Sequence, residues 1–267
     1  MKKAGNLMQL SDGSTLGKGG NFAGINGANI YYEEHGEGEP LILLHGAWSS
    51  VESFLNQAGE FCAHYRIIIP ERRGHGRSAD TPGPYSYAQG AEDMLSLIHE
   101  LGIERAHLLG WSAGAIIGLM MAMKNPGLFS SFIPISGTFH RNGYHERFLR
   151  WFESSTPKSL GKVMVEIYRR NSPDGADHFP EFFEKIKAQA ATHPDYTKED
   201  LRRLRVPTLI IAADRDIIKL DHFVDYFNNV PEGELSIVPG TTHMLPVEKP
   251  ELLNMQVHEF IQGNPIH

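Results

Sequence analysis

Gly110-Trp111-Ser112-Ala113-Gly114 stands between two apolar runs, residues 105–109 (RAHLL) and residues 115–121 (AIIGLMM). The first run predicts a buried strand and the second a buried helix, so Ser112 falls where a strand passes directly into a helix. Such a corner strains the backbone, and the residues two before and two after the serine must lack side chains so that the segments can pack. The helix also points unpaired N–H groups toward Ser112. We therefore predict that Ser112 is a nucleophile.

Length, charge and composition are those of a globular protein that handles a small molecule. The chain has 267 residues and a net charge of -7, which argues against a nucleic-acid partner. Its single cysteine, Cys62, cannot form an internal disulfide. No stretch approaches the ~18 apolar residues of a membrane-spanning helix, and residues 4–20 lack the apolar core of a signal peptide. We predict a cytoplasmic protein with a flexible N-terminal segment, residues 1–20, a small-molecule substrate and no membrane partner; the oligomeric state stays open.

Short apolar runs alternate with helical patterns along most of the chain. Residues 22–25 and 29–34 predict a hairpin closed by Asn26-Gly27, a pair suited to positive φ angles. Further strands, covered by helices on both faces, are predicted at residues 40–44, 65–69, 105–109, 132–135, 207–212 and 234–238. Helical spacing occurs at residues 51–64, 86–101, 115–121, 218–228 and 247–261. This alternation predicts an α/β fold with a mainly parallel, eight-stranded sheet wrapped by helices.

A long segment interrupts the alternation after the sixth predicted strand. Residues 138–205 contain no convincing strand, and they show helical patterns at residues 146–153, 160–170, 179–191 and 198–204. An all-helical insertion into an α/β sheet suggests a cap. We therefore predict a core made of residues 21–137 and 206–267, with a helical cap made of residues 138–205.

A nucleophilic serine needs a base to take its proton and a carboxylate to orient that base, and both are found downstream. Asp214 and Asp216 follow one predicted strand, and His243 follows the next. Both positions are carboxyl ends of strands, where open parallel sheets place their sites. Imidazole titrates near neutral pH, so His243 can accept the Ser112 proton and return it to a leaving group, while a buried carboxylate fixes its tautomer.

Four motifs together resemble those of the α/β-hydrolase fold, in its capped, small-molecule serine hydrolase branch. Residues 45–48 (HGAW) resemble the oxyanion loop after the third strand, and residues 73–78 (RGHGRS) resemble the loop after the fourth. Residues 110–114 are the nucleophile elbow, and residues 240–243 (GTTH) resemble the histidine loop. In order, they span nearly the whole chain, and they are specific for the fold rather than for a substrate.

This resemblance assigns further roles. It implies that the backbone N–H groups of Ala47 and Ala113 form an oxyanion hole. It also favours Asp216 over Asp214 as the triad acid, which leaves Asp214 to form a turn by accepting local backbone hydrogen bonds. The chain departs from the family at Glu71, where members often have Asp, and we expect a structural role to survive the exchange.

Several aromatic residues are candidates for the substrate pocket. Trp48 and Trp111 flank the predicted oxyanion hole, and Phe148 and Trp151 lie on the apolar face of a predicted insertion helix. Each could equally serve as core packing, since one face can form both a core and a pocket wall.

The histidines other than His243 have structural interpretations. His45 is expected to orient its loop, because the family motif places the base elsewhere. His140 and His145 lack a nearby carboxylate or thiol that would complete a metal set, so no metal and no cofactor is predicted. His222 is expected to be exposed at the start of a helix.

A serine at the elbow favours acyl chemistry at a carbonyl, whereas relatives that attack saturated carbon use Asp there. The leading hypothesis is hydrolysis of a small carboxylic ester through an acyl-enzyme, with Ser112, His243 and Asp216 as the triad. The same triad also suits C–C bond hydrolysis, lactone opening or cofactor-free perhydrolysis. A second class of function is a ligand receptor that keeps the triad and turns over slowly.

Overall fold

The computed structural model describes residues 9–266, and its centre is one eight-stranded sheet. The strand order is β1-β2-β4-β3-β5-β6-β7-β8; β1 and β2 pair antiparallel with their neighbours and all other pairs are parallel. The strands are β1 Asn21–Ile25, β2 Ala28–His35, β3 Pro40–Leu44, β4 Arg66–Pro70, β5 Ala106–Trp111, β6 Phe129–Ile135, β7 Thr208–Arg215 and β8 Gly233–Thr242. The predicted α/β fold class with a mainly parallel sheet is confirmed.

Helices cover both faces of this sheet. They are α1 Leu55–Phe61, α2 Tyr87–Glu100, α3 Ala113–Lys124, α4 Glu146–Ser154, α5 Lys162–Asn171, α6 Phe179–Thr192, α7 Lys198–Leu201, α8 Leu220–Asn229, α9 Leu245–Glu248 and α10 Pro250–Gly263. One apolar cluster packs α2, α3 and α8 on one face, and a second packs α1 and α10 on the other. Strands β5 and β6 are buried at every position, which explains why most of their residues are apolar.

The segment between β6 and β7 contains α4 to α7 and contributes no strand to the sheet. Aromatic residues of α5 and α6 form a third apolar cluster that packs against Trp48, after β3, and Tyr85, before α2. The division into a core and a cap, with boundaries at residues 138 and 205, stays a prediction.

The N-terminal segment differs from its prediction over the part that the structure describes. Residues 1–8 lie outside the described residues, but residues 9–20 pack on the core through Leu10 and Leu16, both buried. Their Gly-rich composition predicts flexibility, and nothing in the local sequence indicates that these two leucines pack on the core. No described helix has both the length and the apolar character needed to cross a membrane.

Candidate active site

Ser112 occupies the corner between β5 and α3 in a strained backbone conformation, with φ 56° and ψ -116°. Positive φ is uncommon for a residue with a side chain. The flanking glycines are required by close packing: a Cβ on Gly110 would lie 2.4 Å from the Gly114 carbonyl oxygen, and a Cβ on Gly114 would lie 2.0 Å from that of Leu44. The chain therefore folds tightly around the corner and presents the Ser112 hydroxyl at the edge of the sheet.

Three side chains remote in sequence form one line of hydrogen bonds at this edge. The Ser112 hydroxyl donates to Nε2 of His243 across 2.9 Å, and Nδ1–H of His243 donates to Oδ1 of Asp216 across 2.8 Å. The Asp216 side chain is fully buried, whereas that of His243 is 19% exposed and borders the cavity. The residues predicted as nucleophile, base and acid are thus brought into mutual contact.

Asp216 is held at four points. Its Oδ1 also accepts the backbone N–H groups of Ile217 and Ile218, at 2.7 and 3.3 Å, and its Oδ2 accepts the hydroxyl of Ser136 at 2.6 Å. Burial raises the pKa of Asp216, but His243 and these hydrogen bonds outweigh it, so the pKa lies below the ordinary aspartate value. The carboxylate therefore stays ionised at neutral pH and faces the imidazole as an anion.

Asp214 has a different role from the one predicted. It was expected to accept local backbone hydrogen bonds, but its Oδ1 accepts the N–H of Thr241 at 3.0 Å, from the loop that carries His243. The indole of Trp111 holds the same loop, because its N–H donates to the His243 carbonyl oxygen at 3.0 Å. Both contacts fix the backbone on either side of the imidazole.

Two backbone N–H groups next to Ser112 have no protein acceptor within residues 9–266. They belong to Ala47 and Ala113, the predicted oxyanion-hole residues, and both residues line the cavity beside Ser112. The orientation of the Ala47 N–H is fixed through the peptide group to which it belongs. The Gly46 carbonyl, which shares a peptide bond with the Ala47 N–H, accepts Nη2 of Arg72 at 2.7 Å and Nδ1 of His45 at 2.8 Å. A trans peptide then directs the Ala47 N–H the opposite way.

The buried side chains of Arg72, His45 and His75 support the loop formed by residues 45–48. The Arg72 guanidinium also donates to the His45 carbonyl oxygen at 3.1 Å, and the described residues give it no carboxylate partner. Burial, followed by the positive charge of Arg72, holds the pKa of both His45 and His75 well below the ordinary histidine value. His45 is therefore neutral and orients the loop, in keeping with its predicted structural role.

A cavity of about 410 Å³ opens above Ser112. Trp48, Trp111, Phe148 and Trp151, the four predicted pocket residues, all line it, and the ring of Trp48 stacks on Phe183 with centroids 5.3 Å apart. The rest of the wall is mainly apolar and includes Leu149, Phe152, Leu160, Met164, Ile186 and Ile217. No Asp, Glu, Lys or Arg lines the cavity within the described residues.

Sequence reasoning missed three polar residues of the site. Tyr87 and Tyr144 line the cavity, and Ser136 binds Asp216. Ser136 had a usable signal, since it directly follows the apolar run of β6 at the carboxyl edge of the sheet. The tyrosines had none, because nothing in their local sequence tells a cavity wall from a core.

The structure also shows the surroundings of His222 and Glu71. His222 is buried rather than exposed: it stacks on Phe139 with ring centroids 4.1 Å apart and accepts that residue's backbone N–H. Burial lowers its pKa to about 4. Glu71 keeps a structural role as expected, because its buried carboxylate accepts the Val51 N–H at 3.2 Å and the Arg77 guanidinium at 2.8 Å.

One group of possible metal ligands occurs in the described part of the chain: Asp80, His178 and Glu181. Its geometry is that of an ion-pair network. The ammonium of Lys185 donates to Asp80 at 2.6 Å, His178 donates at 2.7 Å, and the hydroxyl of Tyr85 also donates to this carboxylate. Asp80 is thus already surrounded by donors and a cation, and the network joins the loop after β4 to the start of α6.

Comparisons with known proteins agree with this architecture. A protein named "Putative carbamate hydrolase RutD" from Stutzerimonas stutzeri is 26% identical over 251 residues, covering 84% of this chain and 94% of that protein. The (E)-2-((N-methylformamido)methylene)succinate hydrolase of Acinetobacter baylyi is 21% identical over 266 residues, 90% of this chain and 97% of its own.

The fold is shared with solved structures at lower sequence identity. The meta-cleavage product hydrolase of Pseudomonas fluorescens IP01 superimposes with a TM-score of 0.79 at 19% identity, over 92% of this chain and 98% of that one. The profile of the family described as "Alpha/beta hydrolase family" matches residues 41–256, a range that includes Ser112, Asp216 and His243. The resemblance found in the sequence is therefore confirmed, and the chain belongs to the alpha/beta hydrolase family.

Proposed function

We propose that this hydrolase cleaves a small, uncharged carboxylic ester through an acyl-enzyme, with Ser112 as nucleophile, His243 as base and Asp216 as the orienting acid. The observation that carries the proposal is the continuous line of hydrogen bonds from the Ser112 hydroxyl through His243 to Asp216. Nucleophile, base and orienting carboxylate in this arrangement are the requirements for activating a serine.

The chemistry follows from the positions of these groups. Ser112 Oγ attacks the ester carbonyl carbon while its proton passes to Nε2 of His243, and ionised Asp216 stabilises the imidazolium. The negative charge that develops on the carbonyl oxygen is held by the unpaired N–H groups of Ala47 and Ala113. His243 then returns the proton to the leaving alcohol. Water, activated by the same imidazole, attacks the acyl-enzyme carbonyl and releases the acid.

The lining of the cavity supports an uncharged substrate. A carboxylate or ammonium group taken into an apolar cavity needs an opposite charge close by, because desolvating an unpaired ion costs several kcal/mol. The side chains that line this cavity include no Asp, Glu, Lys or Arg within the described residues. A dianion such as the succinate derivative named for the Acinetobacter relative would find no cation from the described part of the chain there, so we propose a different substrate class for this chain.

The insertion is part of the proposal. Phe148, Trp151 and Phe152 of α4, Met164 of α5 and Ile186 of α6 line the cavity over Ser112. We propose that residues 138–205 act as a cap that encloses the apolar part of the substrate. Enclosure removes water from the reacting groups and strengthens their electrostatic interactions.

Other acyl-transfer substrates remain alternatives for the same machinery. The Stutzerimonas relative is named for carbamates, whose carbonyl a serine attacks in the same way as an ester carbonyl. The Pseudomonas structure is named for a meta-cleavage product. Carbamates, lactones and diketones therefore belong in the same substrate panel as esters, and a rate on one of them that exceeds all ester rates would replace the ester assignment.

Substitution at the nucleophile tests the proposal. Ser112→Ala should abolish turnover of a short aryl ester, because the acyl-enzyme cannot form without the hydroxyl. Ser130→Ala is a matched control: Ser130 is a buried serine of β6 whose hydroxyl has no partner within the described residues and does not line the cavity. The control should keep wild-type rates. Undiminished turnover in Ser112→Ala would reject the mechanism.

A further inference from the structure

Tyr87 and Tyr144 introduce polar groups into an otherwise apolar cavity. Both residues line it, and neither hydroxyl forms a hydrogen bond to another group of residues 9–266. Apart from Ser112, His243 and the indole N–H groups of three tryptophans, they supply the only side-chain oxygen or nitrogen atoms of the described lining. A polar group that borders an apolar cavity without a protein partner is costly to desolvate, so its partner is expected to come with the ligand.

Both tyrosines are held firmly in place. Tyr87 is the first residue of α2 and is only 4% exposed. Tyr144 is partly buried, and its backbone forms a bridge with Ile218 in the loop that carries Asp216. The next residue continues this attachment, because the N–H of His145 donates to the Ile217 carbonyl oxygen at 2.9 Å. Tyr144 is thus anchored to the same backbone that positions the acid, and Tyr87 is held at the start of α2.

The Tyr87 hydroxyl is close enough to Tyr144 to affect the pKa of that residue. Burial, and after it the charges that Tyr87 and Asp216 would carry, raise the pKa of Tyr144 well above its ordinary value. Burial raises the pKa of Tyr87 to about 12, against the opposing effect of Arg72. Both phenols therefore keep their protons at neutral pH, and each can donate one hydrogen bond.

We propose that Tyr87 and Tyr144 form a polar subsite that binds an uncharged oxygen of the substrate, a carbonyl or ether oxygen separate from the scissile ester. This inference rests on the proposed hydrolysis at Ser112 and narrows its substrate class to apolar esters that carry a second oxygen acceptor. A carboxylate is excluded as the bound group, since no cation among residues 9–266 lines the cavity to balance it. Sites that offer fixed hydrogen-bonding groups discriminate strongly against analogues that cannot pair with them.

A panel of matched esters tests the subsite. The reference is an all-carbon alkyl ester, and each other member has one methylene of its acyl or alcohol chain replaced by a carbonyl or by an ether oxygen. The rate of hydrolysis is measured from the protons that the acid product releases. For each protein, kcat/KM of every panel member is then divided by kcat/KM of the reference ester. This ratio cancels differences in the amount of active enzyme between variants.

Wild type should prefer at least one oxygen-bearing ester by about 5-fold or more, since a neutral hydrogen bond contributes about 1 kcal/mol. Tyr87→Phe and Tyr144→Phe should each reduce this preference, and the double variant should lose it while retaining measurable hydrolysis of the all-carbon ester. Tyr226→Phe is the control, because Tyr226 has a buried hydroxyl without a partner in the described structure and lies outside the cavity. It should keep the preference.

Two results overturn the subsite and leave the hydrolase proposal intact. In the first, wild type hydrolyses the all-carbon ester and shows no preference for any oxygen-bearing member. In the second, the double variant keeps the wild-type preference. If instead wild type hydrolyses no ester in the panel, the proposed function fails, and the subsite falls with it.

Discussion

The charge of Asp216 can be removed with little change in its surroundings. Its Oδ1 accepts His243 and two backbone N–H groups, and among the described residues its Oδ2 accepts only the hydroxyl of Ser136. In Asp216→Asn, the amide oxygen can take the place of Oδ1 and the NH₂ group that of Oδ2. Ser136 adapts by rotating its hydroxyl to accept rather than donate. The variant therefore keeps the orientation of the imidazole and loses the negative charge beside it.

The size of the effect follows from that charge. His243 Nδ1 and Asp216 Oδ1 are 2.8 Å apart, so the charge centres of an imidazolium and a carboxylate would be separated by about 4 Å. At an effective dielectric constant of about 20, this attraction is about 4 kcal/mol. Losing it in the transition state lowers kcat by about 10³-fold. KM should change by less than about threefold, because Asp216 does not line the cavity.

Steady-state kinetics with a neutral aryl ester measures both constants. The control is Asp214→Asn, the same chemical change two residues away, at a carboxylate that contacts Thr241 rather than His243. It should retain kcat within about threefold of wild type, because it leaves the imidazole and its partner untouched. A kcat of Asp216→Asn within tenfold of wild type, or a larger loss in Asp214→Asn, would refute the assignment of the acid.

Two further predictions concern stability. Gly114→Ala should lower the free energy of unfolding, measured by urea denaturation, by about 3 kcal/mol, because its Cβ would lie 2.0 Å from the Leu44 carbonyl oxygen. The control is Gly59→Ala, in open space within α1, which should leave the stability unchanged or raise it. His222 has its pKa lowered to about 4 by burial, so the unfolded chain takes up its proton first as pH falls. Between pH 7.5 and 5.5 this histidine should lower the free energy of unfolding by about 1.3 kcal/mol. In His222→Gln the decrease measured between these two pH values should be smaller by that amount. A decrease equal to that of wild type would contradict this prediction.

Local sequence was sufficient for much of the fold. The alternation of apolar runs with helical spacing predicts the sheet, because a strand covered on both faces has to be mostly apolar, as β5 and β6 are. It also predicts that residues following the strands meet at one edge, which is where Ser112, Asp216 and His243 come into contact. Boundaries are less accurate: the α7 helix ends at Leu201, three residues before its predicted end.

Other features depend on packing that local sequence does not encode. His222 was expected at the surface because it stands at the start of a helix, but the ring is covered by Phe139, 83 residues earlier in the chain. The N-terminal residues 9–20 were expected to be flexible, yet Leu16 is completely buried. The hydroxyls of Tyr87 and Tyr144 border a cavity that exists only once the insertion lies over the sheet edge.

Mass spectrometry of the protein, quenched with acid during turnover of an ester, detects whether Ser112 forms the acyl-enzyme. A fraction of the chain should carry the mass of the acyl group, peptide mapping should place this group on Ser112, and Ser112→Ala should carry none. Adduct formation should also slow sharply in His243→Ala, which lacks the base. Steady turnover by a wild-type chain whose Ser112 never becomes acylated would refute Ser112 as the nucleophile, as would an adduct on any other residue that forms at the rate of turnover.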